Sequence, residues 1–223
     1  MQTVDEKELA KVRKKAQVIK VSAAKESIKM FLPLVNIFIA SLEASDNCDR
    51  QESISLELAS KITIDDLKIF LETKDGRYFF RDIMEKAMKV RNEAKAKAFA
   101  RILACEVKQG SIDWSETVVR TIYELTDAEL HIFQVIATYH PPESVLMEGL
   151  HLKRTETGTR LSIGPDTPQE KKIAISILVS RGVLMEILGA SPALFDGVSP
   201  VSQSEGYELS DLGKKMWEYF QEI

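Results

Sequence analysis

Only two cysteines and three histidines occur among the 223 residues. Cys48 and Cys105 are too few and too far apart for a disulfide framework, so a reduced, cytoplasmic compartment is the simpler expectation. His131, His140 and His151 lack the short ligand spacing of a zinc site, and neither cysteine stands beside one of them in sequence. No Walker-type loop, G-x-S-x-G elbow or H-E-x-x-H occurs, so neither a metal nor a cofactor is expected and the chain does not read as an enzyme.

Long apolar runs are missing as well. The most apolar stretch, MFLPLVNIFIA (Met30 to Ala40), is interrupted by Pro33 and Asn36. It falls well short of the roughly 20 residues that cross a bilayer. An integral membrane protein is therefore not expected. The segment reads as a buried helix, with an interfacial one, helped by Lys20, Lys25 and Lys29, as the alternative. The opening residues contain bases but no uninterrupted apolar core and no cleavage signal, so they do not read as a secretory peptide.

Positive charge is scarce in one half only. Residues 1–110 hold 21 Lys+Arg against 17 Asp+Glu, whereas residues 111–223 hold 9 against 17. The second half thus carries −8, which a nucleic-acid partner would have to overcome.

What remains is ample for a packed interior: 44% of residues are hydrophobic and 29% charged. The length suits one large or two small domains. Residues 5–20 place Leu9, Val12, Ala16 and Ile19 at helical spacing, with Lys11, Lys14, Lys15 and Lys20 forming a basic face for an anionic surface or simply for solvent. A second helix is expected over about 24–44, then a polar loop, ASDNCDRQES. In TIDDLKIFLETKDG, Thr63 caps a helix start, Asp65 and Asp66 occupy the first turn, and Asp75-Gly76 is expected to end it. The helix dipole alone accounts for the two aspartates.

Phe80, Met84, Ala87, Ala94, Ala98, Ile102 and Cys105 recur at steps of three, four or seven. They predict one long helix over about 78–108, roughly 45 Å in length. Such a helix could form the spine of the N-terminal half or pair with a second copy, giving a homodimer. A connecting helix is expected over 111–125, with Trp114 as a packing anchor.

From Thr126 the punctuation changes. Thr126 and Glu129 form a capping box, and Pro141-Pro142 stops the helix that follows. ESVLMEGL reads as a short second helix. LHLKRTETGTRLSIG alternates, so Leu150 and Leu152 should face Leu161 and Ile163 across a turn at Glu156-Thr157-Gly158. Lys153, Arg154 and Arg160 would lie on the polar side of that hairpin. TPQEKKIAISILVSRGVL begins with Thr167 as cap and Pro168 at the first helical position. Its inward residues are read as Ile173, Ile177 and Leu178, and Gly182 ends it. VLMEIL and YEL make two strands, and Ser210 caps a final helix with Leu212, Met216, Phe220 and Ile223 inward.

Helix, short helix, a helix ending LVSRGVL, a strand pair and YELSDLGKKMWEYF together resemble the winged helix-turn-helix superfamily over residues 126–223. AKAKAFARILACEV followed by YELTDAELHIFQVIA is also similar to uncharacterised bacterial helical proteins, which adds architecture only. The expected fold is mainly α. A helical bundle or long-helix region over 1–110 and a connecting helix over 111–125 precede a winged-helix-like α+β domain over 126–223.

The resemblance implies that the Thr167–Arg181 helix could enter a major groove. Gln169, Lys171, Lys172, Ser176 and Arg181 would then contact DNA, with Lys153, Arg154 and Arg160 on phosphates. Against this stand the acid surplus, Glu170 within that helix, and a wing, GASPALFDGVSPVSQSEG, without a single base. The expected function is therefore a non-enzymatic interaction or regulatory role through protein contact. The alternatives are a sequence-specific DNA-binding regulator and a peripheral membrane-surface protein using residues 5–40.

Overall fold

The computed structural model describes residues 48–109, 112–138, 144–147, 149–156, 158–189 and 203–221. The two expected N-terminal helices, with Lys11, Lys14, Lys15 and Lys20, lie outside these. The chain divides into two compact units, one up to Val119 and one from Arg120 onward. The described residues are mainly helical, with one antiparallel sheet.

The first unit contains α1 (Cys48–Ala59), α2 (Ile64–Glu72), α3 (Lys74–Lys89) and α4 (Glu93–Gln109), followed by α5 (Ile112–Glu124), within which the division falls. Residues 48–53, expected as loop, are the first turns of α1. Thr63 caps α2 as expected: its hydroxyl accepts from the Asp66 amide at 3.2 Å while the Asp66 carboxylate accepts from the Thr63 amide at 3.0 Å. Those bonds satisfy donors that a helix start otherwise leaves open.

Gly76 does not stop α2. The helix ends at Glu72, and Thr73 caps α3 by accepting from the Gly76 amide at 2.9 Å. A Cβ on Gly76 would stand 2.1 Å from the Phe70 carbonyl oxygen, so glycine is there for close approach between two helix ends.

The single long helix is also corrected. It breaks at residues 90–92 into α3 and α4, which fold back and pack on each other. Val90 is extended (φ −71°, ψ 139°), and Asn92 opens α4 by accepting from the Lys95 amide at 3.3 Å. From α1, the Arg50 guanidinium donates to the carbonyls of Met88 (3.1 Å), Val90 and Arg91 (3.2 Å). It thereby supplies donors to the carbonyls that α3 leaves unpaired at its C-terminus. The apolar stripe runs on across the break because both helices bury it in one core. Phe80, Met84, Ala87, Ala98 and Ile102 are all buried, Ala94 and Cys105 partly so. The spine that would have supported a homodimer does not exist.

Ile54 and Leu58 of α1, Leu67 of α2, Ile83 of α3 and Phe99 and Leu103 of α4 complete that core. Each such side chain contributes roughly 1.5–3 kcal/mol of hydrophobic stabilisation. Arg101 joins α4 to α1 through Glu57 at 2.6 Å.

The second unit contains α6 (Asp127–Thr138), β1 (Ser144–Met147), β2 (Leu150–Thr155), β3 (Gly158–Ile163), α7 (Gln169–Ser180), β4 (Leu184–Gly189), β5 (Gln203–Leu209) and α8 (Asp211–Phe220). The sheet order is β1-β2-β3-β5-β4. The short helix expected in ESVLMEGL is strand β1, in register with β2 from Ser144↔Lys153 to Met147↔Leu150. Gly149 (φ +79°) turns the chain between them. Four residues that can pair along a neighbouring strand gain more as strand than as one isolated helical turn. Between α6 and α7 there is accordingly a three-stranded meander.

The β2–β3 hairpin has the expected register, Leu150↔Ile163 and Leu152↔Leu161, with Thr155↔Gly158 at the turn. One face of these strands is buried at Leu150, Leu152, Thr159 and Leu161, while His151 and Lys153 on the other are exposed. Helices α6 and α8 both contact β5, and α7 contacts β4.

Two caps settle differently. Thr167 makes no helix cap; its hydroxyl donates to the Gly149 carbonyl at 2.6 Å and accepts from the Gly164 amide at 3.0 Å, tying two turns together. Pro168 takes the N-cap position of α7 instead. Gly182 (φ +71°) ends α7, and Ser210 caps α8 by accepting from Gly213 at 3.0 Å. Buried Met216 and Tyr219 and half-buried Leu212 and Phe220 form the inward face of α8.

Candidate interaction surface

The second unit holds all eight residues proposed for nucleic-acid contact, and the fold disperses them. Arg181 turns inward at the end of α7. Its guanidinium donates to the Glu124 carbonyl at 2.8 Å and to the Glu129 carboxylate at 2.9 Å. Glu129 is the same residue that closes the α6 capping box, accepting from the Thr126 amide at 2.9 Å. With its side chain only 4% exposed, Glu129 requires such a partner.

Arg160 is likewise engaged within the sheet. It donates to Glu208 at 2.9 Å, and the Glu208 side chain is 7% exposed. Lys153 pairs in register with Arg160, so these two cations share one face. Arg154 pairs with Thr159 and belongs to the opposite face. The three bases predicted to form one polar side of the hairpin are thus split between two.

On α7, Lys171 and Lys172 are half-buried. The fully open stripe consists of Gln169, Glu170, Ile173, Ser176 and Ser180. It carries no cation. At its centre Ile173, expected to point inward, is 52% exposed, and the buried residues are Ala174, Ile175 and Leu178. In IAISILV almost every position is apolar, so periodicity cannot choose which side faces the core.

No protein-family model, curated protein or solved structure matches this chain. What the surface does has to come from its own chemistry.

Four more large hydrophobic side chains are open in this unit: Tyr123 on α5 (38%), Leu146 on β1 (62%), and Met185 (39%) and Leu188 (59%) on β4. β1 and β4 are the two edge strands of the sheet. The expectation of a short helix hid Leu146, whereas the edge position of Met185 and Leu188 is a matter of topology that a single sequence does not display. Among the described residues no cluster of His, Cys, Asp and Glu could hold a metal, and His131 and His151 lie apart on α6 and β2. His140 and the side chain of Trp114 lie outside the described set. No described helix is long and apolar enough to cross a membrane.

Proposed function

We propose that the chain is a non-enzymatic interaction protein whose winged-helix-like second unit binds another protein through the open face of α7. The observation that carries this reading is the composition of that face: Gln169, Glu170, Ile173, Ser176 and Ser180, without a cation and with a half-exposed isoleucine at the centre. A helix laid against phosphates gains affinity from cations that release counterions. A helix laid against a protein gains it from a desolvated apolar anchor ringed by small polar residues. The commitment of Arg160 and Arg181 to Glu208 and Glu129 further thins the charge available for DNA.

The test compares two single variants of the full chain, Ile173→Glu and Lys172→Glu, recovered from native cells with and without nuclease. Protein contact predicts a nuclease-resistant partner that Ile173→Glu releases and Lys172→Glu retains. Recovered nucleic acid, lost with Lys172→Glu and at raised salt, would establish the DNA-binding alternative instead.

A further inference from the structure

The second unit also contains a cleft of about 210 Å³ between α6, the start of β3, the end of β5 and α8. Ile136, Leu209 and Trp217 give it apolar walls, and Thr159, Lys214 and Gln221 supply polar atoms. Lys214, Trp217 and Gln221 recur at steps of three and four, so one face of α8 forms a whole side of it. The Trp217 ring is held edge-on against Phe133, with centroids 6.0 Å apart at 74°. Phe133, itself fully buried, also meets Phe220 at 5.7 Å. The aromatic wall is therefore set by the core before any ligand arrives, which lowers the ordering cost of binding.

Charge decides the class of ligand. Glu208 also lines the cleft, but Arg160 answers its charge at 2.9 Å. Among the described lining residues Lys214 is the only cation. Its ionic neighbour, Asp211, is fully exposed and 3.9 Å away, a separation at which solvent weakens the pair. The cleft thus combines a cation open to further pairing with an indole and aliphatic walls. A dry cavity of roughly 150 Å³ can take a benzene ring, so this one has space for a single ring with a short substituent.

We propose that the cleft binds a small organic anion, a carboxylic acid with one aromatic or branched apolar body, its carboxylate on Lys214 and its body against Trp217. Such binding goes beyond the protein contact proposed above and does not depend on it.

Phenylacetate is a suitable probe, with 2-phenylethanol as the uncharged body and inorganic phosphate as the bodiless anion. The readout is the pair of tryptophan indole N–H resonances of the full chain, assigned with a Trp114→Phe variant. Phenylacetate should shift the Trp217 signal saturably and leave Trp114 in place. Phenylethanol should bind more weakly, and Lys214→Gln should weaken phenylacetate by roughly fivefold while leaving phenylethanol unchanged. Lys214 is half exposed, so its replacement leaves the fold intact. An unmoved Trp217 signal, an equal response to phosphate alone, or a Lys214→Gln affinity equal to wild type would each overturn the proposal.

Discussion

At the scale of single residues, two of the eight candidate contact residues, Arg160 and Arg181, form ion pairs within the fold. Arg181 joins the end of α7 to the start of α6 by reaching both the Glu124 carbonyl and the buried Glu129 carboxylate. Arg181→Ala leaves that carboxylate without its guanidinium partner, so unfolding free energy should fall by about 2 kcal/mol. Urea denaturation measures this; an unchanged midpoint would show that the pair contributes nothing. Asp66 offers a gentler test through pH. Hydrogen bonds from the Thr63 hydroxyl and then the Thr63 backbone amide hold its carboxyl below the ordinary carboxylate value. A depressed folded-state value means the stabilising contribution is complete above the unfolded value of about 3.9. That contribution is lost as pH falls through the lower folded value. Replacing Thr63 with Ala removes the first of these bonds, so Asp66 should titrate closer to its ordinary value. Carboxyl NMR titration of the two proteins reads the difference, and coincident curves would remove the assigned cause.

At the scale of elements, the break between α3 and α4 rests on two groups of different kinds, Asn92 within the loop and Arg50 from α1. Asn92→Ala removes the acceptor of the Lys95 amide and should cost about 1 kcal/mol. Arg50→Ala deprives three carbonyls of their donor and should cost at least as much, by thermal or urea unfolding. If neither change moves the midpoint, sequence-local geometry alone makes the turn. These two residues also show what a reader of the sequence can and cannot see. Asn92 followed by Glu93 is a helix-start signal, local and legible, but it was masked by an apolar stripe that continues in phase on both sides. The contribution of Arg50, roughly forty residues away, is tertiary and leaves no local trace. The same division runs through the second unit. The hairpin register from Leu150 to Ile163, the Thr126–Glu129 box and the Ser210 cap follow from short-range chemistry and were legible. The strand identity of Ser144–Met147 depends on pairing with β2, and the exposure of Ile173 depends on which side of an all-round apolar helix the other elements occupy. The candidate surface was therefore legible in its place, on the helix from 169 to 180, but not in its character, since the fold pairs Arg160 and Arg181 internally and leaves Ile173 open.

At the scale of the whole molecule, the two units differ in what holds them. The first is a helical core around Phe80 and Phe99, the second a sheet and three helices around Leu152, Leu161 and Phe133. Their boundary falls inside α5, so a single cooperative transition is not guaranteed by chain continuity. Cavity substitutions separate the two cores. Phe99→Ala and Phe133→Ala each remove a fully buried ring and should cost roughly 3–5 kcal/mol within their own unit. If the units melt independently, calorimetry should show two transitions, one lowered by Phe99→Ala alone and the other by Phe133→Ala alone. The Trp217 indole resonance should follow the second, since that ring packs edge-on against Phe133. One transition shifted equally by both substitutions would instead mean that α5 couples the units thermodynamically. In that case, anything bound at α7 or in the cleft beside α8 would stabilise the first unit as well as the second, because a ligand that binds only the folded state raises the stability of everything that unfolds with its site.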